Sequence, residues 1–344
     1  MAKSNIKKGV LVVNLGTPDS PKTPDVRKYL REFLMDGRVI DIPFLSRWAL
    51  VNLIIAPFRA PKSAKTYAEL WEDRGSPLMF YGEDVVNALK NDSELSGYEF
   101  ALAMRYQSPS IESGLEYLRS KNVSEIIVLP LFPQYASATT GSVVEKVNSI
   151  IKKWQVIPSI RFVNQFYDKE LFVKAWASVA SSHINKKEYD HYVFSYHGLP
   201  ERQIRKASVD GYCKLSEKCC SNINKKNQYC YRAQCFATTR LLAEAMGIPE
   251  EKYTICFQSR LGKEPWIQPY AEDVIESLAK SGQKKVLAFS PAFVADCLET
   301  TIEVGDEFKE EFEHAGGEVW DLVPSLNAHP DWVECLKQII LEKS

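Results

Sequence analysis

Phe100-Ala-Leu-Ala-Met-Arg-Tyr-Gln-Ser-Pro109 reads as an apolar strand that runs into a polar corner. The same pattern returns at Tyr253-Thr-Ile-Cys-Phe-Gln-Ser-Arg260. Each copy leads into an amphipathic stretch and then an X-Pro-X-Phe corner, Val128-Leu-Pro-Leu-Phe132 and Phe289-Ser-Pro-Ala-Phe293. Each half closes on a further helix and a strand, ending at Asn164-Gln165 and Leu326-Asn327. The chain therefore repeats itself. Strand patterns stand at Val10–Asn14, Phe100–Tyr106, Glu125–Leu129, Ile160–Gln165, His191–Tyr196, Tyr253–Gln258, Lys285–Ser290 and Glu318–Leu322. Amphipathic stretches fall between them, at Pro109–Ser120, Thr140–Trp154, Lys169–Ile184, Ala233–Met246, Ile267–Ser281, Leu298–His314 and Pro330–Lys343. Such alternation predicts βαβ crossovers and parallel sheets covered on both faces. The expected fold is α/β, with two similar doubly wound, Rossmann-like lobes over 1–166 and 167–344. Ligands of such sheets sit beyond the carboxyl ends of the strands. The loops after Asn14, Tyr106, Leu129, Tyr196, Gln258 and Ser290 are the places to look.

The 344 residues carry 43 Lys plus Arg against 44 Asp plus Glu, a formal net charge of −1. No global basic field exists to attract phosphates, which argues against nucleic acid as the main partner. No secretory signal is evident at the N-terminus, so a reducing cytoplasm is the expected compartment. Eight cysteines are present, five of them between Cys213 and Cys235. A chain of this size needs no disulfide framework, so the cluster reads as a metal site. The stretch Phe44-Leu-Ser-Arg-Trp-Ala-Leu-Val-Asn-Leu-Ile-Ile-Ala-Pro-Phe58 is apolar on nearly every side yet too short to span a bilayer. It is either a buried helix or an exposed apolar lip, ringed by Arg47, Arg59, Lys62 and Lys65, that touches a membrane or a greasy ligand.

His197 ends an apolar strand and is turned at once by Gly198 and Pro200, which places an imidazole at a strand's carboxyl end. Glu299, Glu303 and Glu307 recur every four residues, a carboxylate stripe suited to moving protons or hydrated cations. Asp296 stands three residues before Glu299, where it could cap the helix or orient His197. Neither a Gly-x-Gly-x-x-Gly nor a Walker loop is present. The Lys- and Asn-rich segment from Asp210 to Cys230 has too little apolar content to order itself, so a metal would supply the missing cohesion. Its thiols suit zinc or an iron–sulfur cluster.

Several long motifs, in order, resemble the ferrochelatases, which insert ferrous iron into a porphyrin to make haem. They are Leu11-Val-Val-Asn-Leu-Gly-Thr-Pro18, Phe33-Leu-Met-Asp36, Arg105-Tyr106 and Phe132-Pro-Gln-Tyr-Ala-Ser-Ala-Thr-Thr-Gly-Ser142. The second half adds Ser195-Tyr-His-Gly-Leu-Pro200, Phe257-Gln-Ser-Arg-Leu-Gly-Lys-Glu-Pro-Trp266 and Phe293-Val-Ala-Asp-Cys-Leu-Glu-Thr300. The resemblance implies four-stranded parallel sheets and a porphyrin cleft between the lobes. It makes His197 and Glu299 the catalytic pair at the porphyrin centre, by metal contact, pyrrole deprotonation or both. Glu303 and Glu307 match the acidic face that carries protons or Fe2+. Ile40, Tyr106, Tyr135, Trp266 and Asp296 fall at porphyrin-pocket positions, and Ser259 where a propionate binds. The implied reaction is Fe2+ insertion into protoporphyrin IX, the last step of haem biosynthesis, by a lyase (metal chelatase).

The Pro133-Gln-Tyr-Ala-Ser-Ala138 loop departs from the animal pattern, which places a cluster cysteine there. The insert over about 208–232 resembles instead a bacterial variant with an internal 2Fe–2S cluster, implying Cys213, Cys219, Cys220 and Cys230 as ligands. Zinc is the lesser expectation. The apolar lip, about 38–60, is then expected to pass a porphyrin and to touch the inner face of the cytoplasmic membrane. A monomer or a homodimer is expected. The alternatives are a coproporphyrin or other tetrapyrrole chelatase, and a non-catalytic haem or metal carrier.

Overall fold

The computed structural model describes residues 7–260, 262 and 264–343, with the backbone alone at Glu217. Residues 1–6, and Leu261 and Lys263 of the Phe257–Trp266 motif, lie outside the described residues. Strands form where β-branched and aromatic residues run together. β1 (Lys8–Gly16), β2 (Tyr98–Tyr106), β3 (Glu125–Pro130) and β4 (Ser159–Phe162) make one parallel sheet, in the order β2-β1-β3-β4. β5 (His191–His197), β6 (Tyr253–Gln258), β7 (Lys285–Phe289) and β8 (Val319–Leu322) make the second, in the order β6-β5-β7-β8. The two orders are the same, so the repeat is real at the level of topology. Each strand pattern in the sequence corresponds to one of these strands.

By internal contacts the chain divides into two compact units. One holds Met1–Phe132, Ser137–Asn164 and Leu336–Ser344, and the other holds Pro133–Ala136 and Gln165–Cys335. In the first, β1 is buried on both faces, with Val10, Leu11, Val12 and Val13 all fully inaccessible. Leu11 and Val13 pack with Ile126 and Val128 against α5 (Ile111–Ser120) and α6 (Ser142–Ile151). In the second, Val193, Val286 and Ala288 pack against α11 (Ala271–Lys280) and α12 (Phe308–His314), with Trp320 closing the edge. Such two-sided burial is what a parallel sheet requires.

Between β1 and β2 lie helices that the strand–helix alternation in the sequence does not announce. They are α1 (Thr23–Leu34), α2 (Phe44–Ala49), α3 (Ala56–Leu70) and α4 (Pro77–Asn91). α1, α3 and α4 carry proline in their first two positions, where the missing N–H costs nothing although the residue reads as a breaker. α2 passes through a π-helical turn, Leu50–Ile55, into α3, and this is the apolar stretch. Its buried-helix reading is overturned: only Val51 and Ala56 are inside, while Leu45 and Phe58 are each 78% exposed. Phe44, Trp48, Leu53 and Ile54 stand out beside them. Arg47 turns back to donate to the carbonyls of Ile40 and Ile42, so it braces the lip, while Arg59, Lys62 and Lys65 are exposed. Among the described residues no helix is long and apolar enough to cross a membrane.

The remaining helices are α7 (Glu170–Ile184), α8 (Glu201–Lys206), α9 (Glu217–Cys220), α10 (Tyr231–Ala245) and α13 (Pro330–Lys343). A second difference concerns the expected helix Leu298–His314. Its first ten residues, Leu298–Glu307, form a π-helix that becomes α12. A shorter π-segment, Ser137–Gly141, occupies the corresponding place after β3. Hydrogen bonds from i to i+5 leave no signature in apolar periodicity, and such segments concentrate at functional sites.

Deleting buried methyl groups from the centre of a packed sheet leaves a cavity that its neighbours fill only in part. Leu11→Ala is expected to lower stability by about 2–5 kcal/mol, read as an earlier urea midpoint with the fold retained by circular dichroism.

Candidate functional site

β5 and β6 end in register, with His197 opposite Gln258. The chain leaves β5 through Gly198, whose N–H donates to the Gln258 carbonyl at 2.8 Å. A side chain on Gly198 would stand 2.8 Å from that same oxygen and 3.0 Å from Trp266 Cε3, so the turn has room only for glycine. His197 Nδ1 lies 2.7 Å from the Gly198 carbonyl oxygen. A carbonyl can only accept, so Nδ1 carries the proton and the neutral ring keeps its free lone pair on Nε2. The ring is half-buried, 6.3 Å from the Trp266 ring.

The loop carrying Trp266 is pinned to this turn by backbone bonds, Ile267 N–H to Leu199 and Glu201 N–H to Pro265, both 3.0 Å. Ser259 follows Gln258 in the left-handed region, φ 64°. Its hydroxyl donates to the Glu303 carboxylate, at 2.7 and 2.8 Å. Gln258 Nε2 donates to the same carboxylate and to the Glu299 carbonyl, each at 2.9 Å. Ser195 Oγ donates to Gln258 Oε1 at 2.6 Å, which settles the orientation of that amide. Burial raises the Glu303 pKa above the usual carboxylate range, against the Ser259 and Gln258 hydrogen bonds and the nearby His197, while Glu299 reinforces the rise. Glu299 and Glu303 are half-buried and Glu307 is exposed, so the stripe grades from the interior to solvent.

Asp296 does not cap the helix, and its carboxylate is engaged away from His197. The cap is Cys297, paired reciprocally with Thr300. Asp296 accepts from Ser325 N–H and Asn327 Nδ2, tying down the loop after β8, because both of its oxygens find donors there first. Tyr135 is half-buried, its N–H donating to Gln234 Oε1 and its ring 5.3 Å from that of Tyr229. In the other unit, Tyr106 is fully buried and its hydroxyl donates to Asp36, while Ile40 is half-buried and its carbonyl accepts from Arg47. His197, Ser259, Trp266, Glu299 and Glu303 thus come together within one unit. Two residues that the sequence reading passed over join them: Gln258 and Tyr231, whose hydroxyl donates to the His197 carbonyl at 2.9 Å. Both sit beside recognised motifs, but a bond to a backbone carbonyl has no spacing signature.

In the insert, all eight cysteines of the chain being free thiols, Cys213, Cys219 and Cys230 line one small cavity with Tyr212, Ile204 and Asn227. Cys219 and Cys220 Sγ are 3.9 Å apart. Cys213 hydrogen-bonds with Cys219, and Cys220 with Cys230. The hydrogen bond with Cys220 lowers the Cys230 pKa against its burial, while Cys220 is pushed well up. Donors already face the sulfurs: Arg232 Nη1 lies 3.1 Å from Cys220 Sγ, and the Ala233 N–H points at Cys230. Among the described residues no three His, Cys, Asp or Glu side chains gather around a point as metal ligands. The thiols stand as hydrogen-bonded pairs, three of the four lining the cavity, and soft sulfurs with donors aimed at two of them are the ligand chemistry a four-thiolate centre would require.

The family model described as Ferrochelatase matches residues 7–344. A protein named ferrochelatase from Legionella pneumophila (strain Lens) is 44% identical over 338 residues, which are 98% of this chain and 100% of that one. One of the same name from Coxiella burnetii (strain Dugway 5J108-111) is 41% identical over 339 residues, covering 98% and 94%. Among solved structures, SirB from Bacillus subtilis with Fe3+ superposes with a TM-score of 0.54 at 14% identity. That match covers 98% of this chain and 95% of SirB, and at such identity it speaks to the fold alone.

The Gly198 turn supplies its own test. Gly198→Ala is expected to cost about 1–3 kcal/mol of stability by overpacking, measured by denaturant unfolding. Emission from Trp266 should shift as the loop is pushed away, seen as a difference from the same substitution in a Trp266→Phe background.

Proposed function

This chain belongs to the ferrochelatase family, and from that premise we propose that it inserts Fe2+ into protoporphyrin IX, releasing two protons and giving protohaem. It is thereby a metal chelatase, a lyase, acting at the last step of haem biosynthesis. The observation that carries the reading is the His197 tautomer. With Nδ1–H spent on the Gly198 carbonyl, Nε2 is left as a base or metal ligand at a strand end.

A free-base porphyrin holds two N–H protons at its centre, so insertion needs a proton acceptor and a metal site that does not retain the ion. His197 Nε2 takes a pyrrole proton, and the imidazolium is stabilised by the neighbouring Glu303. Glu303, its basicity raised by burial, is a stronger proton acceptor than an exposed carboxylate. Ser259 and Gln258 hold that carboxylate in one orientation. The stripe Glu299, Glu303, Glu307 hands protons to solvent or guides Fe2+ inward. A sparse His and carboxylate set binds ferrous iron weakly enough to release it to four pyrrole nitrogens. Trp266, Tyr135 and Asp296 in one unit and Ile40 in the other are read as porphyrin contacts, whereas Tyr106, fully buried with its hydroxyl on Asp36, acts from behind the surface of its own unit. Ser259, whose hydroxyl is committed to Glu303, would have to exchange that partner to meet a propionate.

Cys213, Cys219, Cys220 and Cys230 would hold a 2Fe–2S cluster in the insert, and such a centre would supply one-electron redox chemistry and cohesion to a polar segment. The exposed lip, with Arg59, Lys62 and Lys65 beside Leu53, Ile54 and Phe58, lies against the inner face of the cytoplasmic membrane as a peripheral contact.

Anaerobic protein with protoporphyrin IX and Fe2+ is expected to form protohaem. His197→Ala is expected to lower kcat by about 10²–10⁴ while porphyrin still binds, followed by fluorescence quenching. Unchanged turnover would remove the catalytic role of His197, and faster turnover of coproporphyrin would reassign the substrate. Porphyrin binding without turnover by the wild-type chain would leave a carrier. The purified protein should show visible charge-transfer bands with about two irons per chain; a colourless protein with one zinc would replace the cluster.

A further inference from the structure

The insert and the His197 turn are joined by two consecutive side chains. Tyr231 and Arg232 directly follow Cys230 and open α10. Both are buried, at 8% and 5% exposure, where the polar insert meets the buried start of α10. The Tyr231 hydroxyl reaches the His197 carbonyl at 2.9 Å. Arg232 forks the other way. Its Nε and Nη2 both donate to the Gln268 carbonyl, at 3.1 and 3.0 Å, in the loop that carries Trp266. Its Nη1 donates to Cys220 Sγ at 3.1 Å and to the Ser216 carbonyl at 3.3 Å, inside the insert. The guanidinium lies over the Phe236 ring at 4.6 Å, which fixes its plane.

We propose that Tyr231 and Arg232 are positioning residues through which the cysteine insert sets the placement of His197 and of the Trp266 loop. This rests on the reading of His197 as the proton acceptor. The physical ground is the peptide between His197 and Gly198. Its carbonyl accepts from Tyr231, its N–H donates to Gln258, and the next carbonyl accepts the imidazole Nδ1–H. Moving the first of these bonds tilts the peptide plane and with it the direction of Nε2. The insert controls that bond because the backbone carrying Tyr231 begins at a thiol, Cys230, and its neighbour Arg232 grips another. A four-thiolate centre bound there would hold Cys220 and Cys230, and with them the start of α10, in one place. Without it Tyr231 and Arg232 keep their own bonds, but the thiols beside them lose that constraint.

The test uses the anaerobically purified full chain labelled with 15N-histidine, the His197 resonances being identified by their absence from His197→Ala. Tyr231→Phe removes one hydroxyl without changing ring packing. It is expected to shift the His197 imidazole resonances and to lower kcat about tenfold. KM for Fe2+ and for porphyrin and the visible spectrum should stay close to those of the wild type, while the unfolding temperature falls modestly because the His197 carbonyl loses a donor. Cys213→Ser removes a thiol that touches neither Tyr231 nor Arg232. It is expected to move the same resonances and lower kcat in the wild-type background, and to add less than a twofold effect in Tyr231→Phe. Arg232→Gln carries the test without loss of a thiol: the absorption bands of the insert and kcat should change together. Independent, multiplicative losses for Tyr231→Phe and Cys213→Ser would overturn the coupling, as would unshifted His197 resonances in Tyr231→Phe. If His197→Ala instead retains turnover, the reading of His197 falls, while the resonances still report whether the insert positions the ring.

Discussion

Two parallel strands that end in the same register leave their last peptide groups without ladder partners, and at β5 and β6 the way those groups are satisfied determines the site. The His197–Gly198 peptide could have been hydrated. It is instead held by Tyr231 from one side and by the Gln258 carbonyl from the other. The Gly198 carbonyl then takes the imidazole proton and so chooses the tautomer. Absence of a Cβ at Gly198 permits the close approach that makes all three bonds possible. A buried backbone group left unpaired costs about 1–3 kcal/mol, so this closure is a stability requirement first. Orientation of the imidazole is its consequence.

Strands were legible in the sequence because a buried parallel strand must be nearly continuous in apolar residues, as Glu125–Pro130 is. His197 and Glu303 stood out as candidates because few residue types can move protons, and one stands at a strand end and the other on a regular stripe. What escaped was of three kinds. Helices opening on Pro24, Pro57 and Pro77 look like loops, since proline is both a breaker and a favoured first-turn residue. The π-register of Leu298–Glu307 is a property of hydrogen bonding, and four-residue spacing of carboxylates fits it as well as it fits an α-helix. Asp296 was misjudged because a carboxylate before a helix is a good cap only if no better donors compete. Here Ser325 and Asn327 compete and win.

The lip illustrates the limit from the other side. Its composition left burial and exposure equally open, since both a core helix and a docking surface are apolar all round. Tertiary contact decides, and only Val51 and Ala56 of the stretch are buried. An apolar surface of this kind is costly in water unless something covers it, and Arg47, beside the Phe44 ring, spends its donors on the Ile40 and Ile42 carbonyls.

Repetition of the sheet exposes how one scaffold carries two chemistries. After β2, the Met104 N–H is closed by the Pro109 carbonyl, and after β6 the Phe257 N–H is closed by the Pro269 carbonyl, at 2.6 and 2.8 Å. Two residues beyond each closing N–H stand Tyr106 and Ser259, and each donates a hydroxyl to a carboxylate, Asp36 and Glu303 respectively. Burial raises the pKa of both acids, but the outcomes are opposite. At Asp36 burial is outweighed by the Ser142 hydroxyl, the Arg38 N–H, the Arg105 guanidinium at 2.6 Å and the Tyr106 hydroxyl, so the net shift is downward. At Glu303 the Ser259 and Gln258 donors and a titratable imidazole are too weak to cancel burial, and Glu299 adds repulsion, so the net shift is upward. At Asp36 the Ser142 hydroxyl and the Arg38 N–H, joined by a permanent cation, outweigh burial, whereas at Glu303 two neutral donors and a histidine do not. Two acids that accept from hydroxyls at equivalent positions after β2 and β6 are thereby pushed in opposite directions.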